Sequence, residues 1–536
     1  RPDHVKEDWE TPKIVQCIYD DSTEETMKLA FDQKNADLRK KWMSDYKEGL
    51  KIDMLEEIPI SQFIRTELIH YSLDTLRRAI PGVDGFKESI RKIIRASMVH
   101  PKWKGTSETY KSKLEEVKLA QFSAFVAGST NYHHGEEILS SAISGLCQAF
   151  VGSNNLPLFD AGGMYGTRVE GGKDRASPRY LFTRPLPYLK YIFRKEDEDI
   201  LIRKEEEGEE IEPEFYLPVI PLHIINGVSG IAGGYSTFIP NHSAHDVINW
   251  LLTRLKGNTP VPLLPWYRGF NGKIEIVTVQ EEETPIQVGE EGGVAPEDEH
   301  EEDKFDIKLP GTGYRTMLTH GKFKEGKKSN EYIIDELPIG RWTGSYDKFL
   351  RQIFKKVENC STDSDVNFTV SGTDKEEITE KELRLTRSYG LGNMVLLDVH
   401  GVPRNYGGGV QQIMESFYQF RLPFYDKRRD SILTKWRDEM KRLTNKMKFI
   451  RLVVDRELII DRRPKSEVVE EMEKKHKLPS ELLNIPIVSC TEDEIEKLKK
   501  EISGIDSDID LLKIKLASQL WEEDLLKLRD EIPKVC

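Results

Sequence analysis

The sequence turns on one stretch, Gly171-Gly172-Lys173-Asp174-Arg175-Ala176-Ser177-Pro178-Arg179-Tyr180. A pair of glycines permits a tight turn, and three basic side chains then lead to a tyrosine. Tyrosine is ordinarily a weak nucleophile: with a pKa of about 10, only about 0.1% is phenolate at neutral pH. A neighbouring guanidinium favours the phenolate and stabilises charge on a phosphoryl group in the transition state. Arg179-Tyr180 in a basic, glycine-rich loop is therefore a chemically sensible point of attack on a phosphodiester. The chain holds 19 tyrosines, so the surroundings must single this one out.

Outward from the loop, charge is unevenly spread. The 536 residues carry 79 basic and 92 acidic side chains, a net −13 that argues against a generic polyanion binder. Yet Leu76–Lys113 holds ten basic residues (Lys87, Arg91, Lys92 and Arg95 among them) against three acidic ones. A second basic cluster runs through Arg168, Lys173, Arg175, Arg179 and Arg184. Either alone could be a solvated face; together, flanking a polar, glycine-rich stretch, they favour a phosphate-binding surface. The acids lie elsewhere, at Glu205–Glu212 and at Glu281–Asp303, the latter expected to be a solvated or disordered insertion.

Several classes of function fall away. No stretch approaches the roughly 20 apolar residues of a membrane span. The five cysteines (17, 147, 360, 490 and 536) form neither a zinc knuckle nor a redox pair and suit a reducing compartment. There is no Gly-x-Ser-x-Gly elbow, Walker A loop or His-Glu-x-x-His. His133-His134 beside Glu136 reads better as a phosphate or base contact than as a metal clamp, because adjacent strand residues face opposite ways. The Asp-x-Asp pairs at Asp197/Asp199 and through Asp506, Asp508 and Asp510 read as solvated faces.

Local pattern gives the elements. Residues 24–48 predict an exposed connector helix. Ser61–Met98 predicts helix, turn, helix, with an apolar stripe of Ile90, Ile93, Ile94 and Met98 and a basic stripe of Lys87, Arg91 and Arg95. That suits a helix-turn-helix or winged-helix DNA module, although ordinary surface helices share the pattern. Short strands are expected from about 262 to 400. Ile432, Trp436, Met440, Leu443, Met447, Ile450 and Val454 predict one long helix. Ile495, Leu498, Ile502, Ile505, Ile509, Leu512 and Leu516 predict a heptad seam, with Thr491 and Glu494 as a capping box. The pair implies an antiparallel coiled coil with a tip, or a simple helical bundle.

Collinear motifs sharpen this. Tyr132-His-His-Gly-Glu136, Phe150-Val-Gly-Ser-Asn-Asn155, Gly166-Thr-Arg168, Gly171-Gly-Lys-Asp174 and Ala176-Ser-Pro-Arg-Tyr-Leu-Phe-Thr183 closely resemble the breakage-reunion region of type IIA DNA topoisomerases, in the eukaryotic and large-DNA-virus branch. The resemblance continues through Glu212-Pro-Glu-Phe-Tyr-Leu-Pro218, Asn226-Gly227, Gly230-Ile231, Glu336-Leu-Pro338, Arg341-Trp-Thr343 and Asn393-Met-Val395 into the paired helices.

The resemblance implies an α+β multidomain fold: a connector (1–48) following a TOPRIM domain, a winged-helix DNA-gate domain (49–240), a β-rich tower (241–400), and a coiled coil with a C-terminal dimerisation gate (401–536). It implies that Tyr180 attacks DNA and becomes joined to a 5′ phosphate, with Arg179 stabilising the transition state. His134, Arg168 and Lys173 would face the scissile backbone, Ile231 would wedge between base pairs, and Lys87 and Arg91 would lie on the recognition helix. The implied partners are double-stranded DNA and a second copy in a homodimer, with no membrane. The setting is the nucleus if cellular, or host cytoplasm or virion if viral.

The acidic Mg²⁺-binding motifs of TOPRIM and the ATPase domain are not found, and residues 1–45 resemble the tail that follows TOPRIM. Mg²⁺ and ATP are thus expected on parts beyond this stretch, on a longer polypeptide or a partner chain. A single Gly82 between Pro81 and Val83, Glu-Ser after Lys87, Gly233-Gly234-Tyr235 and Pro423, which is expected to interrupt a helix that usually runs on, depart from the family pattern and suggest a divergent or viral member. The rival readings are a tyrosine recombinase or relaxase and an architectural DNA-bending protein.

Overall fold

The computed structural model describes residues 9, 14–46, 56–206, 208–279, 314–328, 330–373, 378–407, 409–486 and 489–536. The acidic segment at 281–303 lies outside the described residues. The chain forms two compact units: 1–193 with 202–418 and 527–536, and 194–201 with 419–526. The boundaries expected at 48, 240 and 400 all fall within the first.

In the first unit, α1 (Thr23–Phe31) and α2 (Ala36–Ser44) replace the single connector helix expected. Asp32 is the reason: its backbone is extended and its carboxylate accepts the Lys34 N–H at 2.9 Å, a local turn that competes with the helix. A helix beginning at Ile60 passes through a π turn into α3 (Ile69–Ala79), and the turn at Pro81–Phe86 leads to α4 (Glu88–Val99). The predicted helix-turn-helix is present, but α4 is more enclosed than its stripes implied. Ile93, Ile94 and Met98 are buried, and so are Lys92 and Ser97.

Next come α5 (Leu119–Ser129), α6 (Glu136–Cys147) and the hairpin β1 (Val228–Ala232) and β2 (Tyr235–Ile239). Ile231 faces Ser236 across the hairpin, and the connection is Gly233-Gly234, the latter at φ +88°. Helix α7 (Ala244–Leu255) follows, capped by Ser243, whose hydroxyl accepts the Asp246 N–H.

Two antiparallel sheets occupy the region where only strands were expected. β3 (Lys273–Val279), β4 (Tyr314–His320) and β9 (Thr386–Gly390) form one, with β4 central. The other has the order β5 (Lys322–Glu325), β6 (Glu331–Glu336), β8 (Phe368–Ser371), β7 (Lys356–Asn359). Between β6 and β7 runs a helix, α8 (Thr343–Ile353), that the strand reading missed. Its Tyr346 and Leu350, one turn apart, bury against Ile334, Phe368 and Val370 of the second sheet.

Helix α9 (Val410–Val454) runs unbroken for 45 residues through Pro423. A mid-helix proline costs about 3 kcal/mol, and fully buried Arg421 and Tyr425 hold the chain on either side of it. In the second unit α9 faces α10 (Glu492–Lys513). Arg429 donates to the Lys515 carbonyl at 3.0 Å, while Lys446 pairs with Glu494 at 2.7 Å. Rising numbers on one helix of the pair meet falling numbers on the other, so the helices are antiparallel. Thr491 caps α10 by accepting the Glu494 N–H. Leu516 lies beyond α10 and is exposed, ending the seam early. The tip has its own core, with Phe449, Ile450, Leu458, Val468, Met472 and Leu498 packed together.

The solvated reading of Asp197 is corrected. Asp197 is buried, paired with Arg421 at 2.6 Å and lying 3.6 Å from Arg428, while Arg428 also meets Asp524 at 2.8 Å. Asp506, Asp508 and Asp510 are exposed, as expected.

Two buried histidines make an acid-sensitive point in the first unit. Burial pushes His223 and His242 from 6.5 down to about 4. Both folded values lie below the unfolded one, so their stabilisation is complete above about pH 6.5 and is lost as pH falls toward 4. Between pH 7 and 5 each is expected to cost about 2 kcal/mol of stability. Urea midpoints at the two pH values should show it, and His223→Leu should flatten the dependence. An unchanged slope in that variant would refute the assignment.

Candidate active site

Tyr180 closes a single 3₁₀ turn, Pro178–Tyr180, opened by a proline whose missing N–H costs nothing at that position. The chain then enters the short strand Phe182–Thr183, paired with Val117–Lys118. Leu119 donates to the Leu181 carbonyl at 2.8 Å, and Gly162 and Phe182 exchange two backbone bonds at 2.9 and 2.8 Å. The Tyr165 hydroxyl donates to the Phe182 carbonyl at 2.9 Å. Tyr180 therefore hangs from fixed backbone while remaining 64% exposed. The Arg179 guanidinium carbon lies 4.9 Å from its ring centroid, within cation–π range.

The preceding loop is braced from within. The Asp174 carboxylate accepts the Thr167 N–H at 2.9 Å and the Thr167 hydroxyl at 2.6 Å. Gly172 donates to the Thr167 carbonyl and Ala176 to that of Met164, both at 2.9 Å. From α6's end, the Gln148 amide donates to the Tyr165 carbonyl at 2.9 Å and to that of Gly172 at 3.3 Å. Lys173 is exposed on this loop.

The other basic residues divide sharply. Arg168, expected to face a DNA backbone, is instead buried: its guanidinium pairs with Glu336 and donates to the Leu337 carbonyl at 3.2 Å. Arg175 pairs with Glu137 and donates to Ser141 at 2.9 Å, and Arg184 pairs with Asp160 at 2.9 Å. Arg91 is committed inward too, bonding both oxygens of fully buried Asp84 at 2.8 and 2.9 Å. Lys92 is buried against Glu212 at 3.0 Å and the Thr130 carbonyl at 2.6 Å. The basic excess counted in the sequence is thus partly internal cement.

Lys87 stands at the N-cap of α4 and donates to the Ser229 carbonyl on β1 at 3.2 Å. Burial lowers its pKa. His134 is exposed in the loop before α6, edge-on to Tyr132 at 5.3 Å; this segment is not a strand. Its neighbour His133 lies 3.3 Å from Glu206. Ile231 is 63% exposed next to the hairpin turn.

Against known families, residues 78–526 match the family model for the A subunit of DNA gyrase/topoisomerase IV. The chain belongs to the type IIA DNA topoisomerases. Residues 6–76 match the C-terminal associated domain of TOPRIM, so the tail expected at 1–45 extends further. Among relatives, the mitochondrial DNA topoisomerase 2 of Dictyostelium discoideum is 32% identical over 97% of this chain and 39% of its own length. The DNA topoisomerase 2 of Arabidopsis thaliana is 32% identical over 90% of this chain and 31% of its own. That of Invertebrate iridescent virus 6 is 32% identical over 96% and 43%. The chain therefore spans less than half the length of these relatives.

The crystal structure of the Plasmodium falciparum topoisomerase II DNA-binding, cleavage and re-ligation domain superposes with a TM-score of 0.80 at 27% identity, over 99% of this chain and 73% of that one. The α+β architecture is thus that of a type IIA cleavage core. Among the described residues no helix is long and apolar enough to cross a membrane. Nor do three His, Cys, Asp or Glu side chains gather there as a metal site. The described residues therefore do not fit a Mg²⁺ centre, and no chemical step is assigned to one among them.

Sequence reading missed the residues that brace the loop before the tyrosine: Gln148 and Asp174 bond within it, and Glu336 pairs with Arg168. Asp174 and Glu336 lie within motifs quoted for the resemblance, but nothing in the sequence shows that these motifs meet.

Proposed function

We propose that this chain is the DNA-cleaving core of an ATP-dependent type IIA topoisomerase. The observation that carries the reading is Tyr180: an exposed phenol with a guanidinium against its ring, on backbone fixed from both sides. In the forward step the phenol oxygen bonds to a DNA phosphorus and loses its proton. The 3′ oxygen leaves and takes up a proton, and the 5′ phosphate stays on the tyrosine. One phosphate ester replaces another, so the reverse attack by the 3′ hydroxyl reseals the strand without a separate energy source. Arg179 supplies charge to the crowded phosphoryl oxygens.

Two copies in a homodimer, each attacking one strand, would open a duplex for a second to pass, altering supercoiling and catenation. Ile231 is the natural wedge for bending the cut duplex, since apolar insertion between base steps kinks DNA. Lys173, His134 and Lys87 are assigned to its phosphates. We assign Mg²⁺ to a TOPRIM part and ATP to an ATPase part of the same longer polypeptide or of a partner chain. The site of action is the nucleus, or host cytoplasm or virion for a viral protein.

Arg91 and Arg168 are left out of the DNA contacts because their guanidinium groups are engaged with buried carboxylates. Removing one partner of a buried ion pair typically costs about 3–5 kcal/mol. Arg168→Ala should therefore lower the stability read from urea unfolding by that amount while the folded fraction keeps its DNA affinity. Lys173→Ala, at an exposed side chain, should reduce the salt slope of DNA binding by about 1. Selective loss of affinity in Arg168→Ala would overturn the division.

The reading is tested by denaturing a mixture of supercoiled plasmid, Mg²⁺ and the full-length polypeptide. Protein covalently held at 5′ DNA ends supports it. A 3′ linkage would favour a recombinase-type enzyme, and tight, salt-sensitive binding without any adduct would favour an architectural protein.

A further inference from the structure

The turn between β6 and α8 reaches the loop that precedes Tyr180 at four places. Glu336, at the end of β6, pairs with Arg168; its second oxygen accepts the Asn271 N–H at 2.9 Å and so is tied to the start of the first sheet's chain. The Thr343 N–H donates to the Arg168 carbonyl at 3.3 Å, and the Gly344 N–H to that of Val169 at 2.9 Å. Apart from that turn, the connection between β7 and β8 adds the Asp363 carbonyl, which accepts the Arg168 N–H at 3.2 Å.

The fourth contact is the Trp342 ring. A Cβ added to Gly171 would sit 2.3 Å from Trp342 Cε2, and Gly171 has φ +60°. Only glycine lets the ring lie this close to the backbone. On its other side Trp342 meets the Phe150 ring edge-on at 5.7 Å, and its outer edge faces Gly152. Trp342 thus fills a notch between the loop's double glycine and the segment at 150–152.

We infer that Glu336 and Trp342 are positioning residues for strand cleavage, forming a clamp that sets where the Gly166–Asp174 loop holds Lys173 and Arg179-Tyr180. The inference rests on the proposed function of Tyr180. A double-glycine turn has unusual conformational freedom, so its usefulness at a reactive centre depends on something outside it restricting that freedom. Internal bonds brace the loop against itself, whereas the clamp fixes it to the sheets. Neither clamp side chain touches the reacting atoms.

The test compares wild type, Trp342→Ala and Trp342→Phe in the full-length polypeptide. Cleavage of a labelled duplex is measured as a function of DNA concentration. Trp342→Ala should slow cleavage at saturating DNA by about tenfold to hundredfold, the scale of a small misplacement. The DNA concentration for half-maximal rate should change less than about twofold, and Trp342→Phe should restore most of the rate. A rate loss matched by a comparable rise in the half-saturating DNA concentration, or no change in rate, would overturn the clamp.

Hydrogen exchange at the Gly172 and Ala176 amides is read on the same proteins and does not depend on chemistry. Faster exchange in Trp342→Ala supports the clamp even if wild type makes no adduct, a result that would sink the proposed function alone. Unchanged exchange overturns the clamp whatever the adduct does. If the alanine variant fails to fold, Trp342→Leu keeps apolar volume without the flat ring and takes its place, under the same criteria.

Discussion

Tyr180→Phe is expected to abolish the covalent protein–DNA adduct while leaving DNA binding intact. The substitution deletes one oxygen from a side chain that is largely exposed. Among the described residues, neither its backbone supports nor the Arg179 contact requires that oxygen. Stability should stay within about 0.5 kcal/mol, the range for surface changes that break no special feature. Without a nucleophile, strand transfer should fall on the order of 10⁶-fold, the scale seen when a covalent nucleophile is removed elsewhere. A denaturing gel, run beside a binding titration, reads both quantities. Loss of binding in parallel with the adduct would mean that Tyr180 holds DNA rather than attacking it.

Arg179→Ala should be the next most damaging change. Its guanidinium is exposed and lies over the tyrosine ring, and the proposed reaction brings a phosphate to the phenol oxygen beside it. Deleting one preorganised donor to a developing anion typically costs about 10²- to 10³-fold in rate. Cleavage and resealing should slow together, because both pass through the same phosphoryl transition state. Arg179→Lys should recover little, since an ammonium is a point charge and cannot present a planar fork to two oxygens. Rates at saturating DNA test this. A variant that weakens DNA binding but cleaves at the normal rate would show that Arg179 only anchors the backbone.

The tyrosine loop was legible because its chemistry is local. Gly171-Gly172, Lys173 and Arg179-Tyr180 are close in sequence, and a glycine turn carrying a basic loop needs no distant residue to be recognised. The long helix was legible over Ile432–Val454, where its periodicity lies, but the interruption expected at Pro423 is absent: the helix runs through it from Val410. What the sequence hid was pairing at long range. Arg168 and Arg175 differ little in sequence context, yet Arg168 is sealed against Glu336, 168 positions away, whereas Arg175 sits at a surface pair. Lys92 was counted in the basic window Leu76–Lys113, but Glu212 claims it from a different element.

The same limit explains Asp197, which lies in a run of charges that reads as solvated. Only the return of α9 brings Arg421 and Arg428 to it. Helix α8 was missed for a different reason: its apolar positions are spaced for a helix, but it is short and lies between strands. The sequence marks which residues are chemically able; the fold decides which of them are spent on structure.

One measurement bears most directly on the central claim. The covalent complex formed by the full-length polypeptide on DNA is digested with nuclease and protease, and the nucleotide-bearing peptide is sequenced by mass spectrometry. The account predicts a single modified peptide, carrying a nucleotide through its 5′ phosphate on Tyr180. A nucleotide on any other residue, or one joined through a 3′ phosphate, would contradict it.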